Sequence, residues 1–192
     1  MPSDQDHIFL RTERLYLRRF TAADAPLLCE LDSDPEVMRH ISKGVPTPLA
    51  TIEKEILPSW LRMYELSDHL GIWAAHETAT DRFIGWFLLR PDRYVPDDPE
   101  LGYRLRRDAW GRGYATEGSR ALIEEAFQHW EIERIVARTL VGNAASRRVM
   151  EKCGLRFEEF FTYPLELIPG WTEEERAAVK YGLRRADLPG KC

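Results

Sequence analysis

The fold is decided by the stretch Trp110-Gly111-Arg112-Gly113-Tyr114-Ala115-Thr116. A strand-like run, residues 100–107, precedes it, and an amphipathic helical pattern follows it. Two glycines spaced two apart between a strand and a helix let the backbone approach a ligand closely. The first-turn amides of the helix then present unpaired N–H groups. The stretch therefore predicts an anion site, and phosphate is the usual anion at such a turn.

The composition is that of a folded, globular chain. It has 192 residues, 44% of them hydrophobic and 11% aromatic, which favours a single domain over residues 1–192. A formal net charge of −5 argues against a nucleic-acid partner, because duplex binding requires a dense basic face. The arginines nearest the glycine turn are Arg104, Arg106, Arg107 and Arg112. Beside a predicted phosphate site, we interpret this cluster as functional rather than as a solvated face.

Cysteine content and hydropathy indicate in which cellular compartment the protein is located. The three cysteines, Cys29, Cys153 and Cys192, are odd in number and widely spaced, which argues against a disulfide framework or a zinc site and for a reducing compartment. No apolar run is long enough to span a membrane, and residues 1–7 do not resemble a secretory signal. We therefore expect a cytoplasmic protein without a metal site or a membrane partner.

The order of predicted elements indicates an α+β fold. A strand over 13–20 is followed by three helices, over 21–31, from 34, and over 47–66 with a bend at Pro58. Three strands follow, over 71–77, 82–89 and 100–107, and then the long helix to about His129. The last elements are a strand over 132–140, a helix from the cap Asn143 to Gly154, and strands over 155–162 and 178–185. The middle three strands form an antiparallel meander. This order has too few parallel crossovers for a doubly wound dinucleotide fold.

Three kinds of phosphate site compete for the glycine turn. A Walker-type loop requires Lys and then Ser or Thr after its last glycine, whereas Tyr114 and Ala115 follow Gly113. A dinucleotide fingerprint requires a βαβ unit and an acidic residue about twenty positions later. Glu131 or Glu133 would have to take that role, and the antiparallel meander argues against it. The third candidate is a pyrophosphate cradle for coenzyme A.

The stretch resembles the acyl-coenzyme A motif of the GCN5-related N-acetyltransferase (GNAT) superfamily. That motif is Gln or Arg, two residues, Gly, one residue, and Gly or Ala, and Gly113 and Ala115 occupy its last two positions. Trp110 stands where many members have Gln or Arg. With this departure, the run Trp-Gly-Arg-Gly-Tyr-Ala-Thr-Glu is similar to the subgroup of ribosomal-protein N-terminal acetyltransferases that act on alanine or serine termini.

Two further segments resemble the same subgroup. Residues 10–18, Leu-Arg-Thr-Glu-Arg-Leu-Tyr-Leu-Arg, are similar to its opening strand. Residues 143–154, Asn-Ala-Ala-Ser-Arg-Arg-Val-Met-Glu-Lys-Cys-Gly, are similar to its second coenzyme-contacting helix. The likeness covers nearly the whole chain in matching order.

The resemblance implies a site for acetyl-coenzyme A, used as a cosubstrate. In this fold the sheet is splayed between its fourth and fifth strands, here residues 100–107 and 132–140, and the pantetheine arm lies in that gap. The coenzyme-binding residues expected from it are Leu105, Arg106, Arg107, Gly111, Arg112, Gly113, Tyr114, Ala115, Thr116, Asn143 and Ser146. The amides of residues 111–116 would hold the diphosphate, and Arg107 or Arg112 would neutralise charge.

Direct attack of an amine on the thioester requires an oxyanion donor, a base and a proton for the departing thiolate. A backbone N–H near Leu105 or Arg106 is the expected oxyanion donor. Glu100, at the start of the strand leading to the thioester, is the first candidate base, and Glu166 in the late loop is the second. Many members of the superfamily use a tyrosine on this helix as the proton donor, but the segment 143–154 contains none. The resemblance implies Ser146 as the candidate proton donor, because the resembled subgroup carries a serine at this position.

The sequence thus predicts an N-acetyltransferase that acts on a primary amine. The resemblance favours a protein N-terminus as the acceptor. Small-molecule amines such as polyamines, aminoglycosides or amino acids, and a coenzyme-binding regulatory module without turnover, remain alternatives. The oligomeric state is not determined by the sequence, and a homodimer is left open.

Overall fold

The computed structural model describes residues 8–95 and 98–188. Its strands are β1 (Ile8–Arg11), β2 (Leu15–Arg19), β3 (Gly71–Glu77), β4 (Phe83–Arg90), β5 (Glu100–Leu105), β6 (Arg134–Leu140), β7 (Arg156–Thr162) and β8 (Ala177–Arg184). They form a sheet in the order β1-β2-β3-β4-β5-β6-β8-β7. All described neighbours pair antiparallel except β5 and β6, which run parallel. The predicted mixed and mostly antiparallel α+β sheet is confirmed. Cys192 and residues 1–7, which contributed to the expected location, lie outside the described residues.

The helices begin and end near the predicted residues. They are α1 (Ala25–Asp32), α2 (Pro35–Ser42), α3, α4 (Tyr114–His129) and α5 (Ala144–Lys152), where α3 joins the segments Leu49–Thr51, Ile52–Ile56 and Leu57–Leu66. The middle segment of α3 is π-helical and ends just before Pro58. Because proline has no N–H to donate, a wider turn at this point is understandable. The helix thus departs from α geometry where the sequence predicts a bend.

The two faces of the sheet carry separate apolar cores. Successive residues of each strand point to opposite faces, so Trp73 and Phe87 pack with α4, while Ile72 and Trp86 pack with α1 and α3. A close contact joins Gly118 of α4 to the ring of Phe87. A Cβ at this glycine would lie 2.3 Å from the ring. The absence of a side chain at this glycine therefore allows α4 to lie close against β4.

Two predicted strands have different limits in the structure. The predicted strand 13–20 is shortened to Leu15–Arg19, because the backbone N–H of Leu15 bonds the Thr12 hydroxyl at 2.9 Å and closes a bend at Glu13 and Arg14. Residues 8–11 consequently form a separate strand. The predicted strand 100–107 ends earlier, at Leu105, because the chain turns into a short 3₁₀ helix, Arg107–Ala109.

The sheet opens between β5 and β6. Strand β5 pairs with β4 over six residues from Glu100 to Leu105, but with β6 it shares only the pair Glu100–Val136. Beyond that pair the two strands diverge toward Leu105. The predicted splay is therefore present between these two strands. They are the fifth and sixth strands because β1 is counted separately. Backbone groups that face the gap are available to a ligand.

In the described parts of the chain, no helix is both long enough and apolar enough to cross a membrane.

Candidate functional site

A cavity of about 980 Å³ follows the gap between β5 and β6. At one end it is lined by one face of α5 and by the glycine turn, residues 111–116, which we call the cradle and of which all but Arg112 line the cavity. At the other end, called the acceptor end, it is lined by residues of α2, the end of β4, the start of β5 and the loop 163–168. One continuous space thus joins the predicted coenzyme residues to a second group of polar and aromatic side chains.

The cradle presents a row of unpaired amides. Gly111 and Gly113 adopt left-handed conformations, with φ of 71° and 85°. The first amide of this region with a backbone partner is that of Glu117, which donates to the carbonyl of Gly113 at 3.0 Å. Within the described residues, the N–H groups of positions 111–116 donate no hydrogen bond. Such a cluster at the start of a long helix fits a diphosphate.

The buried carboxylate of Glu77 holds two side chains of the cradle in place. It accepts a hydrogen bond from the Tyr114 hydroxyl at 2.7 Å and pairs with Arg112 at 2.9 Å. It also accepts from Arg82 and Thr80 at 3.2 Å and 2.9 Å. The Arg112 side chain, one of the two arginines expected to neutralise a bound phosphate, is thus already paired with a carboxylate, and its role at the phosphate stays a prediction. Its guanidinium is held by Glu77 and is not part of the cavity lining.

Protonation of Glu77 is expected to destabilise the fold in acid. The Tyr114 hydrogen bond, followed by that of Arg82, lowers the pKa of Glu77 from 4.5 to about 2. A carboxyl group whose pKa is lower in the folded than in the unfolded protein stabilises the folded state. This stabilisation is complete at pH values above the unfolded-state pKa, and it is lost as the pH falls through the folded-state pKa. Between about pH 5 and about pH 3, urea titrations should show a steeper fall in unfolding free energy for the parent than for Glu77→Gln. Parallel pH dependences would contradict this.

The opening segment of the chain holds the first turn of α4. Glu117 accepts hydrogen bonds from the Thr12 hydroxyl at 2.6 Å and the Arg14 backbone N–H at 2.9 Å. The Arg14 guanidinium pairs with the same carboxylate at 2.5 Å and also donates to the Arg112 carbonyl at 3.0 Å. The bend at residues 12–14 thus anchors the cradle. The sequence indicated a likeness for this segment but not this contact.

Two further predicted arginines direct their side chains away from the cavity. Arg106 pairs with Glu30 at 2.7 Å, and Arg106 and Arg107 both line a separate, smaller groove beside α1. The Arg106 backbone N–H donates to the Ile84 carbonyl at 2.8 Å, so it is not free for an oxyanion. Because hydrogen-bonding direction alternates along a strand, the N–H of Leu105 faces the gap instead.

The start of α5 contributes Asn143 and Ser146 to the cavity wall. The Asn143 side chain accepts a hydrogen bond from the Ser146 backbone N–H at 3.1 Å and so caps the helix, as predicted. The Tyr103 hydroxyl lies against that of Ser146. Burial raises the pKa of Tyr103 to about 12, and the contact with Ser146 acts in the opposite direction. Sequence reasoning overlooked Tyr103, although its position two residues before Leu105 places it on the same face of β5.

Glu100 and Glu166 have different surroundings. Glu100 lines the acceptor end and pairs with Arg90 at 3.0 Å and with Arg138 at 3.8 Å. Arg138 is itself paired with buried Asp92. Glu166 is exposed and does not line the cavity, although Leu167 and Ile168 next to it do. The structure therefore brings Glu100, but not Glu166, to the wall of the same space as the cradle.

Two other polar residues at the acceptor end were not selected from the sequence. His40 of α2 lines the cavity, and burial followed by the nearby charge of Arg39 lowers its pKa. Tyr163 lines it from the opposite side. Burial, followed by the charge of Glu100, raises the pKa of Tyr163 far above its ordinary value. Their separation in sequence left no local pattern that would have found them.

The two walls of the acceptor end are joined by Lys43. This residue ends α2 in a left-handed conformation, with φ of 56°. Its ammonium pairs with Glu175 at 2.7 Å, donates to the Gly170 carbonyl at 3.1 Å and lies over the ring of Trp171. A segment near the start of the chain is thus tied to the loop between β7 and β8. No group of three metal-ligating side chains occurs in residues 8–95 and 98–188.

Comparison with known proteins places these features in context. The family described as "Acetyltransferase (GNAT) domain" matches residues 14–156. A similar relative is the FsC-acetyl coenzyme A-N(2)-transacetylase of Aspergillus fumigatus, 31% identical over 93% of this chain and 77% of its own. Another, "Putative ribosomal N-acetyltransferase YdaF" of Bacillus subtilis, is 32% identical over 74% and 78% of the two chains.

A solved structure supports the fold assignment. The Microcin C7 self-immunity acetyltransferase MccE, in complex with acetyl-CoA and AMP, superposes with a TM-score of 0.74 at 16% sequence identity. The alignment covers 90% of this chain and 93% of that one.

Proposed function

The chain belongs to the GNAT acetyltransferase family, and we propose that it transfers the acetyl group of acetyl-coenzyme A to a primary amine entering from the acceptor end of its cavity. The observation that carries this proposal is the continuity of the space from the cradle to Glu100. A bound donor would occupy one end, and the acceptor would approach from the other. The two reactants then meet at the splay between β5 and β6, where both are held in position for the reaction.

The donor would be held by backbone groups along most of its length. The unpaired amides of residues 111–116 fit the diphosphate, and the backbone of β5 that faces the gap suits the amides of the pantetheine arm. This path leads the thioester toward Leu105, whose N–H is directed into the gap. We assign the oxyanion contact to this N–H in place of that of Arg106, which is already bonded.

The reaction requires two proton transfers. The amine must lose a proton before or during its attack on the thioester carbonyl, since an ordinary amine is protonated at neutral pH. Glu100 is our candidate for this step, acting directly or through water. After the tetrahedral intermediate collapses, the departing thiolate takes a proton. Ser146 is our candidate donor, with Tyr103 beside it as a second hydroxyl.

Two acceptor classes merit direct comparison. A protein N-terminus is the first, supported by the likeness to the ribosomal N-terminal subgroup and by the name of one relative. A small-molecule amine is the second, supported by the name of another relative, an N(2)-transacetylase. The cytoplasmic location expected from the cysteines suits either class and stays a prediction.

The test is a thiol-release assay with acetyl-coenzyme A, followed by mass spectrometry of products made with an isotopically labelled acetyl group. The acceptor panel would contain peptides with free alanine or serine termini, polyamines, aminoglycosides and amino acids. Labelled acetyl on an amine supports the proposal. Coenzyme binding without turnover on any acceptor, including proteins of a cell extract, would favour the regulatory-module alternative.

Glu100→Gln is expected to lower kcat/KM about 100-fold at neutral pH, because an amide cannot accept the amine proton. The glutamine oxygen can still accept from Arg90, so acetyl-coenzyme A affinity should stay unchanged in calorimetry. The matched variant is Glu166→Gln, which alters an exposed carboxylate outside the cavity wall. A large loss in Glu166→Gln with full activity in Glu100→Gln would transfer the role to Glu166.

A further inference from the structure

Two arginines at the acceptor end have their charges balanced by carboxylates. Arg90 pairs with Glu100 at 3.0 Å. Arg138 lies 3.8 Å from the same carboxylate and also pairs with buried Asp92. Two guanidinium groups thus share two carboxylates. The candidate base is consequently not an excess negative charge that would attract a polycation.

The other charged side chains that line this end lie on α2 and in the loop after β4. On α2, Arg39 pairs with Glu36 at 3.8 Å. Burial, followed by the charge of Arg39, lowers the pKa of His40, so its imidazole is largely neutral at pH 7. Arg93, in the loop after β4, lines the cavity and forms no ion pair with a carboxylate in the described parts of the chain. Of the described side chains at this end, Arg93 is therefore the cation without a countercharge.

The loop that carries Arg93 is attached to the charges around Glu100. The buried Asp92 carboxylate accepts a hydrogen bond from the backbone N–H of Tyr94 at 2.8 Å. The guanidinium of Arg138, which pairs with Asp92, lies over the ring of Tyr94, 5.0 Å from its centre. Because Arg138 also lies near Glu100, the contacts that surround the candidate base hold the backbone on both sides of Arg93.

We propose that Arg93 binds a carboxylate of the acceptor, so that the enzyme acetylates the amine of an amino acid. The inference rests on the proposed function, in which Glu100 takes the proton of that amine. A guanidinium binds a carboxylate through two parallel hydrogen bonds. One guanidinium matches one negative charge, whereas a phosphate monoester carries nearly two at neutral pH. Arg93 would select and orient the acceptor without touching the thioester.

The same arrangement disfavours the other acceptor classes. Polyamines and aminoglycosides carry further ammonium groups, which would meet the charge of Arg93 instead of a carboxylate that needs a partner. A peptide with an alanine or serine terminus has no carboxylate on its first residue, so Arg93 would lack a ligand. An amino acid supplies both the amine for Glu100 and the anion for Arg93.

The experiment compares amino acids with the corresponding amides, which keep the amine and lack the carboxylate. The acceptors are α-amino acids and an unbranched series from glycine to aminohexanoate, and the thiol-release assay with acetyl-coenzyme A gives kcat/KM for each. Arg93→Gln should lower the acid-to-amide ratio of the best acceptor about tenfold, mainly through the KM of the acid, as expected for one bidentate pair in an open cavity. Differences in amine pKa between acid and amide cancel when the variant and parent ratios are compared.

Arg39→Gln is the matched control, because it removes the same charge from the same end of the cavity but from a side chain that pairs with Glu36. It should keep the parent ratio. Arg93→Lys, which keeps the charge and loses the planar fork, should lose part of the ratio. An unchanged ratio in Arg93→Gln would overturn the inference. Equal falls in Arg93→Gln and Arg39→Gln would overturn it too, since overall charge would then set the preference.

The choice of acceptor separates this inference from the proposed function. Faster acetylation of polyamines, or of peptides with alanine or serine termini, than of every amino acid would overturn the inference and leave the proposed function intact. A preference for phosphoethanolamine over β-alanine would do the same, because it would assign the anion site to a phosphate. If no amine is acetylated, the proposed function fails and the inference fails with it.

Discussion

Replacing Gly113 with valine is expected to weaken acetyl-coenzyme A binding by on the order of 1,000-fold, from the loss of about three charge-assisted amide contacts. Gly113 has a φ of 85°, and a β-branched residue does not accept this conformation without strain. The valine would turn the peptide planes around it, so the amides of residues 111–116 would no longer converge on one anion. Calorimetric titration with acetyl-coenzyme A measures the effect.

Gly170→Val is the matched control for this prediction. Gly170 has a nearly equal φ of 82° and open space around its Cα, but it lies in the loop between β7 and β8, remote from the cradle. Both variants should lose stability through the same backbone strain, and only Gly113→Val should lose coenzyme affinity. Equal affinity losses in the two variants would show that the cradle amides are not the coenzyme contact.

Gly118→Val is expected to lower the free energy of unfolding by about 3 kcal/mol, at the upper end of overpacking effects. A Cβ at this position would lie 2.3 Å, 2.6 Å and 2.7 Å from three atoms of the Phe87 ring. That ring is fully buried and has little room to move. The helix α4 must therefore rise from the sheet, or the ring must leave its place. Urea denaturation monitored by tryptophan fluorescence measures the loss.

The control is Gly142→Ala, since a Cβ there meets nothing within 4 Å. It should change the unfolding free energy by less than about 0.5 kcal/mol. A smaller side chain in place of the Phe87 ring provides the second test. Phe87→Leu combined with Gly118→Ala should cost less than the sum of the two single changes, because the smaller leucine removes the clash that the added Cβ creates and the Cβ occupies space that the ring has left. Strict additivity would show that the close approach of α4 and β4 does not limit stability.

Local chemistry explains why much of this fold could be predicted from the sequence. The start of α2 follows from Asp34 and Pro35, where an N-cap acceptor precedes a residue suited to the first turn. The start of α4 follows from the glycines before Tyr114, and α5 begins at its cap Asn143. In each case the determining residues are neighbours in the chain.

The sequence did not indicate side-chain directions that depend on a partner distant in the chain. Arg112 lies in the cradle motif, but its direction is set by Glu77, and the direction of Arg106 is set by Glu30. Neither carboxylate forms a recognisable pattern with its arginine.

The candidate site likewise has one part built from residues that are neighbours in the sequence and another part built from residues that are far apart in it. The cradle and the start of α5 lie in compact motifs, whereas the acceptor end combines Glu100, His40 and Tyr163 from three distant segments. Only the first of these was selected, because it begins a strand. The proximity of Tyr103 and Ser146 likewise depends on how α5 crosses the open sheet.

Lys43 joins a part of the chain that matches the family to a part outside the match. The family match ends at residue 156, so it includes the cradle and α5 but not the loop that carries Gly170 and Glu175. One wall of the acceptor end therefore lies outside the matched region, and Lys43 joins it to α2, which lies inside that region. Sequence changes confined to this loop would alter the surface that meets the amine while leaving the cradle and α5 unchanged.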